Sequence, residues 1–204
     1  MNLPQPHDLL WGMPAAGLPD DAPAWAVQAL TAGQPVVVRR ASCDAGWVAV
    51  GVRGQGRAQR LGVVMRLGDI QRQVRPEALR WSAPSPWPAL EALPSVAAVL
   101  DASGLAWGPT GGVGYQLATG CPVVHLASDL DLLVRTPQSM TRAKARQLLD
   151  TFACGPCRID VQLETPAGAV ALREWAGQAR RVLLKSALGP RLVQNPWHPM
   201  ECAA

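Results

Sequence analysis

Two regimes of apolar and polar residues follow one another along this chain. In the first, apolar runs at 35–39, 46–52 and 61–67 are broken by Gly- and Arg-containing turns, which predicts short β-strands. In the second, helical and strand spacings alternate. Residues 88–103 carry a helical pattern, and the glycine run from Gly108 to Gly114 opens another short helix. Strands are expected near 122–126 and 129–135. Ser139 or Thr141 caps a helix running through Phe152. Arg158 to Glu164 alternates polar and apolar residues, the mark of a half-buried strand with Asp160, Gln162 and Glu164 on its polar face. A helix near 168–179 and an apolar strand at 181–185 complete the pattern. The mixture predicts an α/β (α+β) chain of two domains. A β-rich domain over 1–82 is followed by a larger one over 88–204, with a Pro-rich connector from Trp81 to Pro88.

Composition narrows the class. Hydrophobic residues make up 49% of the chain, enough for a core, so disorder is not expected. The net charge of +4 suits an anionic, phosphate-rich substrate or an acidic partner, and is too small to indicate nucleic acid. Arginine far outnumbers lysine, which is limited to Lys144 and Lys185. Arginine favours planar contacts to phosphate, although a GC-rich genome gives the same bias. Residues 1–20 hold no apolar core of signal-peptide length, and no run approaches the roughly 18 residues of a membrane span. The five cysteines form no disulfide framework. A soluble, cytoplasmic protein is the expectation.

Candidate chemistry centres on Asp129 and Asp131 in the run Ser128-Asp129-Leu130-Asp131-Leu132-Leu133-Val134. On a strand, residues i and i+2 share a face, so these carboxylates would stand side by side with Leu130 and Leu132 packed behind. Two such charges resist joint ionisation unless a cation lies between them, and an oxygen-only ligand pair suits Mg²⁺. Asp160 is the natural third carboxylate, as a metal ligand or as acceptor of a hydroxyl proton. Upstream, Gly111, Gly112 and Gly114 would let backbone amides approach phosphate at a helix N-terminus. Each feature alone has a plainer reading: a solvated strand end, a turn, a surface carboxylate.

Their order is more specific than the parts. A glycine loop, an Asp-x-Asp strand and a later single-Asp strand resemble the polymerase-β-like nucleotidyltransferases. The gap from Gly112 to Asp129 is longer than in most of that superfamily. Further motifs extend the likeness over nearly the whole chain. They include His7-Asp8-Leu9-Leu10-Trp11, Pro35-Val36-Val37-Val38-Arg39-Arg40, Asp160-Val161-Gln162-Leu163-Glu164-Thr165-Pro166 and Gly189-Pro190-Arg191-Leu192-Val193. In this order they resemble the malonate decarboxylase holo-acyl-carrier-protein synthases, which are phosphoribosyl-dephospho-CoA transferases. Gly111-Gly112 stands where that family usually has Gly-Ser, which leaves an amide contact to phosphate but no hydroxyl.

That resemblance implies a nucleotidyltransferase-like C-terminal domain that uses Mg²⁺. The donor would be triphosphoribosyl-dephospho-CoA and the acceptor a serine of the apo acyl-carrier subunit of malonate decarboxylase, with pyrophosphate leaving. Asp129, Asp131 and Asp160 would hold metal and carry the chemistry. Gly111, Gly112, Gly114, Arg135 and Lys185 would bind substrate, and Arg191 could join them. The basic loop Gly54 to Arg60 reads as a hairpin tip or as a clamp on CoA phosphates. The alternatives are a nucleotidyltransferase using an ordinary nucleoside triphosphate and a non-catalytic carrier-binding module. Three carboxylates argue against the module.

Two motifs stand outside this scheme. Cys154-Gly155-Pro156-Cys157 spells a thioredoxin-type tetrad, but it follows a helical pattern and leads into a strand, the reverse of the redox context. It reads as a helix-to-strand turn. His7-Asp8 reads as a turn cap, with a partner-contact or acid–base role for His7 as the other option.

Overall fold

The computed structural model describes residues 3–56, 58–81 and 83–199. Arg57 of the basic loop, Ser82 of the Pro-rich connector and Cys202 therefore lie outside the described residues. The chain has a mixed α/β architecture with two sheets, and it divides into two compact units. One holds the residues up to Arg75 with Ala118–Gly120, and the other holds the rest from Pro76 onward.

In the first unit, β1 (Leu9–Trp11), β2 (Val36–Val38), β3 (Trp47–Arg53), β4 (Arg60–Arg66) and β5 (Arg72–Val74) form an antiparallel sheet in the order β4-β3-β2-β1-β5. Alternation along β3 turns Val50 and Val52 inward, where they meet Leu10, Val36 and Met65. Helix α1 (Ala24–Thr31) adds Ala26 and Leu30 to that core. The expected runs at 35–39, 46–52 and 61–67 are thus β2, β3 and β4.

The second unit contains α2 (Pro88–Glu91), α3 (Leu93–Ala102), β6 (Trp107–Pro109), α4 (Gly111–Thr119) as far as Leu117, β7 (Leu130–Arg135), α5 (Arg142–Thr151), β8 (Ile159–Thr165), β9 (Gly168–Ala171), α6 (Leu172–Trp175), β10 (Val182–Ser186) and β11 (Gly189–Val193). Its sheet runs β11-β10-β9-β8-β7-β6. Only β7 and β8 are parallel, and α5 joins them. Leu130, Leu132 and Val134 of β7 and Ile159, Val161 and Leu163 of β8 point to one face, into a core shared with Leu100, Leu148 and Leu172. Thr141 caps α5, its hydroxyl accepting from the Lys144 N–H at 3.2 Å.

Two expected elements differ. Residues 122–126 are not a strand. The N–H groups of Val123 and Val124 both donate to Gln116 Oε1 at 2.9 Å, so a side chain supplies the partner that a neighbouring strand would have given. The stretch expected as a helix over 168–179 is helical only at Leu172–Trp175. Gly168–Ala171 instead folds back on β8 as β9, with Thr165 opposite Gly168 across the Pro166–Ala167 turn.

Candidate active site

The register of β7 and β8 builds the site. Asp131 pairs with Asp160, Leu133 with Gln162 and Arg135 with Glu164. Directly paired residues point to the same side, so the face opposite the core carries Asp131 beside Asp160, then Gln162 and Glu164. All four are half-buried. Apolar residues at every second position hold this polar row in place, because a slip of one residue would bury the carboxylates and expose the leucines.

Asp129 is placed differently from the expectation. It lies just before β7 rather than on it, after a turn in which the Ser128 N–H bonds the His125 carbonyl. Strand pairing begins at Leu130, whose N–H donates to the Arg158 carbonyl at 2.9 Å. Asp129 is therefore at the mouth of the row and Asp131 within it.

Helix α4 starts against Asp131. The Thr110 N–H donates to the Asp131 carbonyl at 2.8 Å, and the chain turns into the helix at Gly111 with φ +58°. A Cβ at Gly111 would clash with Asp131 Oδ2. The residue must be glycine on both counts: its backbone is left-handed, and the Asp131 carboxylate is packed against it. Gly112 follows in the first turn, and Gly114 is buried beside the Pro109 carbonyl. The Asp131 carboxylate thus stands at the positive end of a nine-residue helix.

Asp160 is held by a residue to which the pattern assigned no role. Arg158, the residue just before β8, donates from Nη2 to Oδ2 at 2.9 Å and from Nε to Oδ1 at 3.1 Å. The i, i+2 spacing on a strand was the available signal.

Arg135 and Lys185 stand apart from the carboxylates. Arg135 is four residues along β7 from Asp131, roughly 13 Å away at strand rise. Its Nε lies 2.6 Å from Glu77 Oε1, in a pair only 15% and 23% exposed. Lys185 is exposed on β10, in the row that runs from Arg135 through Glu164 and Ala169. Arg191 pairs with core-facing Leu184, so it belongs to the other face.

Outside this face, Asp8 is fully buried, and its Oδ2 accepts from the Gln5 N–H at 2.9 Å and from Gln73 Nε2 at 2.6 Å. It closes the turn, as expected. His7 adopts φ +75°, with its N–H on the Val38 carbonyl at 2.9 Å. The Cys154–Cys157 segment is the turn between α5 and β8. Burial pushes the Cys157 thiol up; a backbone hydrogen bond from Leu130 opposes the shift, and the charge of Asp129 adds to it.

The donors suit a hard cation. Asp129, Asp131 and Asp160 offer only oxygen, and the Asp131 carboxylate already sits where a phosphate at the α4 N-terminus would approach it. Among the described residues no group of three or more Asp, Glu, His or Cys stands assembled for metal.

Comparison with known proteins decides the family. Residues 5–76 match the phosphoribosyl-dephospho-CoA transferase MdcG N-terminal domain, and residues 73–196 match the MdcG C-terminal domain. The chain belongs to this family. It is 76% identical to a phosphoribosyl-dephospho-CoA transferase from one strain of Pseudomonas putida, over the whole of both chains. Identity is 55% to that of Azotobacter vinelandii, over 96% of this chain and 95% of the relative. It is 53% to that of Pseudomonas aeruginosa, over 98% and 97%. No solved structure matches the chain. Membership of the MdcG family makes it an enzyme, a transferase. No helix among the described residues is long and apolar enough to cross a membrane.

Proposed function

We propose that this transferase moves the phosphoribosyl-dephospho-CoA group from triphosphoribosyl-dephospho-CoA to a serine of the apo acyl-carrier subunit of malonate decarboxylase. The serine oxygen bonds to the phosphorus nearest the ribose, the bond from that phosphorus to the next phosphate breaks, and pyrophosphate leaves. The observation that carries this reading is the Asp131–Asp160 pairing beside the Gly111 turn. It sets Asp131, with Asp160 beside it on the next strand, at the start of α4, whose positive end suits phosphate.

The residues divide the work. Gly111 and Gly112, at the head of α4, would let the triphosphate approach the positive end of the helix. Asp131 and Asp129 would hold Mg²⁺, which would supply positive charge to offset that of the phosphates and the departing pyrophosphate. Asp160 completes the metal's oxygen set or accepts the serine proton, and Arg158 fixes its orientation. Lys185, about four residues further along the sheet face, suits a more distant part of the long donor rather than the reacting phosphorus, while Arg135 in the same row is engaged by Glu77. In this reading the second unit is a polymerase-β-like nucleotidyltransferase domain, and the enzyme works in the cytoplasm.

Intact-mass spectrometry of the apo carrier subunit tests the proposal. Incubation with enzyme, triphosphoribosyl-dephospho-CoA and Mg²⁺ is expected to add one phosphoribosyl-dephospho-CoA per carrier and release pyrophosphate. No mass gain with this donor, or a nucleotide adduct from ATP instead, would overturn it.

A further inference from the structure

The outer face of the β3–β4 hairpin sets glycine against glycine and tryptophan against arginine. Register places Trp47 opposite Arg66, Ala49 opposite Val64 and Gly51 opposite Gly62, on the side of the sheet away from Val50 and Val52, with Ala49 itself buried beneath its neighbours. Two glycines directly opposed in adjacent strands weaken a sheet, and such positions mark a close approach. Here the approaching group is Arg39, just after β2. A Cβ at Gly62 would clash with its Nη1, and one at Gly51 would lie 3.5 Å from its Cδ. The glycine pair forms a trough in which the Arg39 stem lies flat on the sheet, while the residue stays exposed. Beside it, Arg66 stacks over Trp47, with its Cζ 5.1 Å from the ring centroid. Trp47 is 39% exposed and Val64 is 46% exposed.

We propose that this face docks an acidic protein surface, and that its occupant is the apo carrier subunit, an assignment that rests on the function proposed above. Three observations favour a carboxylate-rich protein as the occupant. Among the described residues on the outer face of β3 and β4, every ionisable side chain is arginine, so charge complementarity selects a carboxylate-rich partner. Arginine and tryptophan, here Arg66 stacked on half-exposed Trp47, are the residue types enriched at binding centres. β4 is also the edge of its sheet, and an exposed edge with Val64 on its face invites association unless a partner covers it. A small phosphorylated donor, by contrast, is held in a concavity with converging donors, and this is an open sheet face. The flat Arg39 guanidinium is pre-organised for planar contact with carboxylates.

Steady-state transfer kinetics with the full-length enzyme, apo carrier subunit and triphosphoribosyl-dephospho-CoA test the idea. The R39E/R66E double variant is expected to raise the carrier KM at least tenfold and to flatten its salt dependence. Its kcat and donor KM should stay within twofold of the parent. Gly62→Val, which displaces Arg39 without changing charge, is expected to raise the carrier KM less, again with unchanged donor KM. Circular dichroism confirms that each variant is folded, and R39Q/R66Q replaces any that is not. An unchanged carrier KM overturns the proposal. An equal rise in donor KM also overturns it, because the face then serves the phosphates. Failure of the function itself is seen separately, since the parent enzyme would then not modify the carrier.

Discussion

Gly111 and Asp131 are in such close contact that the carboxylate of one fills the space a side chain on the other would need. The helix that would bind phosphate and the strand that carries the carboxylates are therefore locked together at one point. A glycine at φ +58° tolerates this; an L-residue does not.

Gly111→Ala is accordingly expected to push Asp131 aside and to strain the turn. Single-turnover transfer should fall by about 10² or more, because a misplacement of ~1 Å near the reacting group costs that much. Gly120, which also has positive φ but has nothing within 4 Å of a built Cβ, is the control: Gly120→Ala should cost stability through strain yet leave the rate close to normal. Equal rates for Gly111→Ala and the parent would remove the contact from the mechanism.

Arg158→Ala separates orientation from stability. The Arg158–Asp160 pair is 62% and 36% exposed, so its loss should change unfolding free energy by less than about 1 kcal/mol. If Arg158 orients Asp160, the single-turnover rate should fall roughly tenfold with unchanged donor affinity. Rapid-quench and donor-binding measurements on the same variant distinguish this from a surface ion pair, for which both would be unchanged.

The Cys154→Ser/Cys157→Ser variant is expected to transfer normally. Burial raises the Cys157 thiol above its ordinary 9.0, so the thiol stays protonated and unreactive near neutral pH. The sign for stability follows. A raised folded-state value favours the protonated native state, a contribution fully present below pH 9.0 and lost as pH rises through the shifted value. Denaturant titrations should therefore show stability falling more steeply above that pH in the parent than in Cys157→Ser. Parallel pH profiles, or a redox-dependent transfer rate, would contradict this account of the thiol.

The end of the second unit is held by paired tryptophans. Trp175 and Trp197 meet edge-on at 5.3 Å, and their Nε1 groups donate to the Met140 and Thr136 carbonyls at 2.8 and 2.7 Å. Arg142 stacks on Trp175 at 4.2 Å and donates to the Trp175, Gly177 and Ala179 carbonyls. Trp197→Ala should destabilise by about 3–5 kcal/mol, as expected for deleting a buried aromatic residue. A loss below about 1 kcal/mol in chemical denaturation would show that this end of the chain frays without cost.

Much of the site's frame was legible because it rests on period-two alternation. Arg158 to Glu164 spells a strand with one polar face, and the leucines around Asp131 fix which way that residue points. Parity does not reach Asp129, because it lies between a turn and the first residue of β7. Arg135 looked available for phosphate; its partner Glu77 is distant in sequence, and no local pattern joins them. The stretch at 122–126 has strand composition, but Gln116 takes its amides. The β9 strand was hidden because Gly168–Ala171 has no periodicity of its own and pairs only by folding back after Pro166–Ala167.

The central claim is that Asp131 and Asp160 act as one unit in the transfer step. Single-turnover rates for Asp131→Asn, Asp160→Asn and the double variant, with donor binding measured on each, test it most directly. Each single change should slow transfer by about 10² or more while donor affinity falls little, and the double variant should be scarcely slower than the worse single one, since groups that act together are strongly non-additive. A near-normal rate for either single variant, or losses that simply multiply in the double, would contradict it.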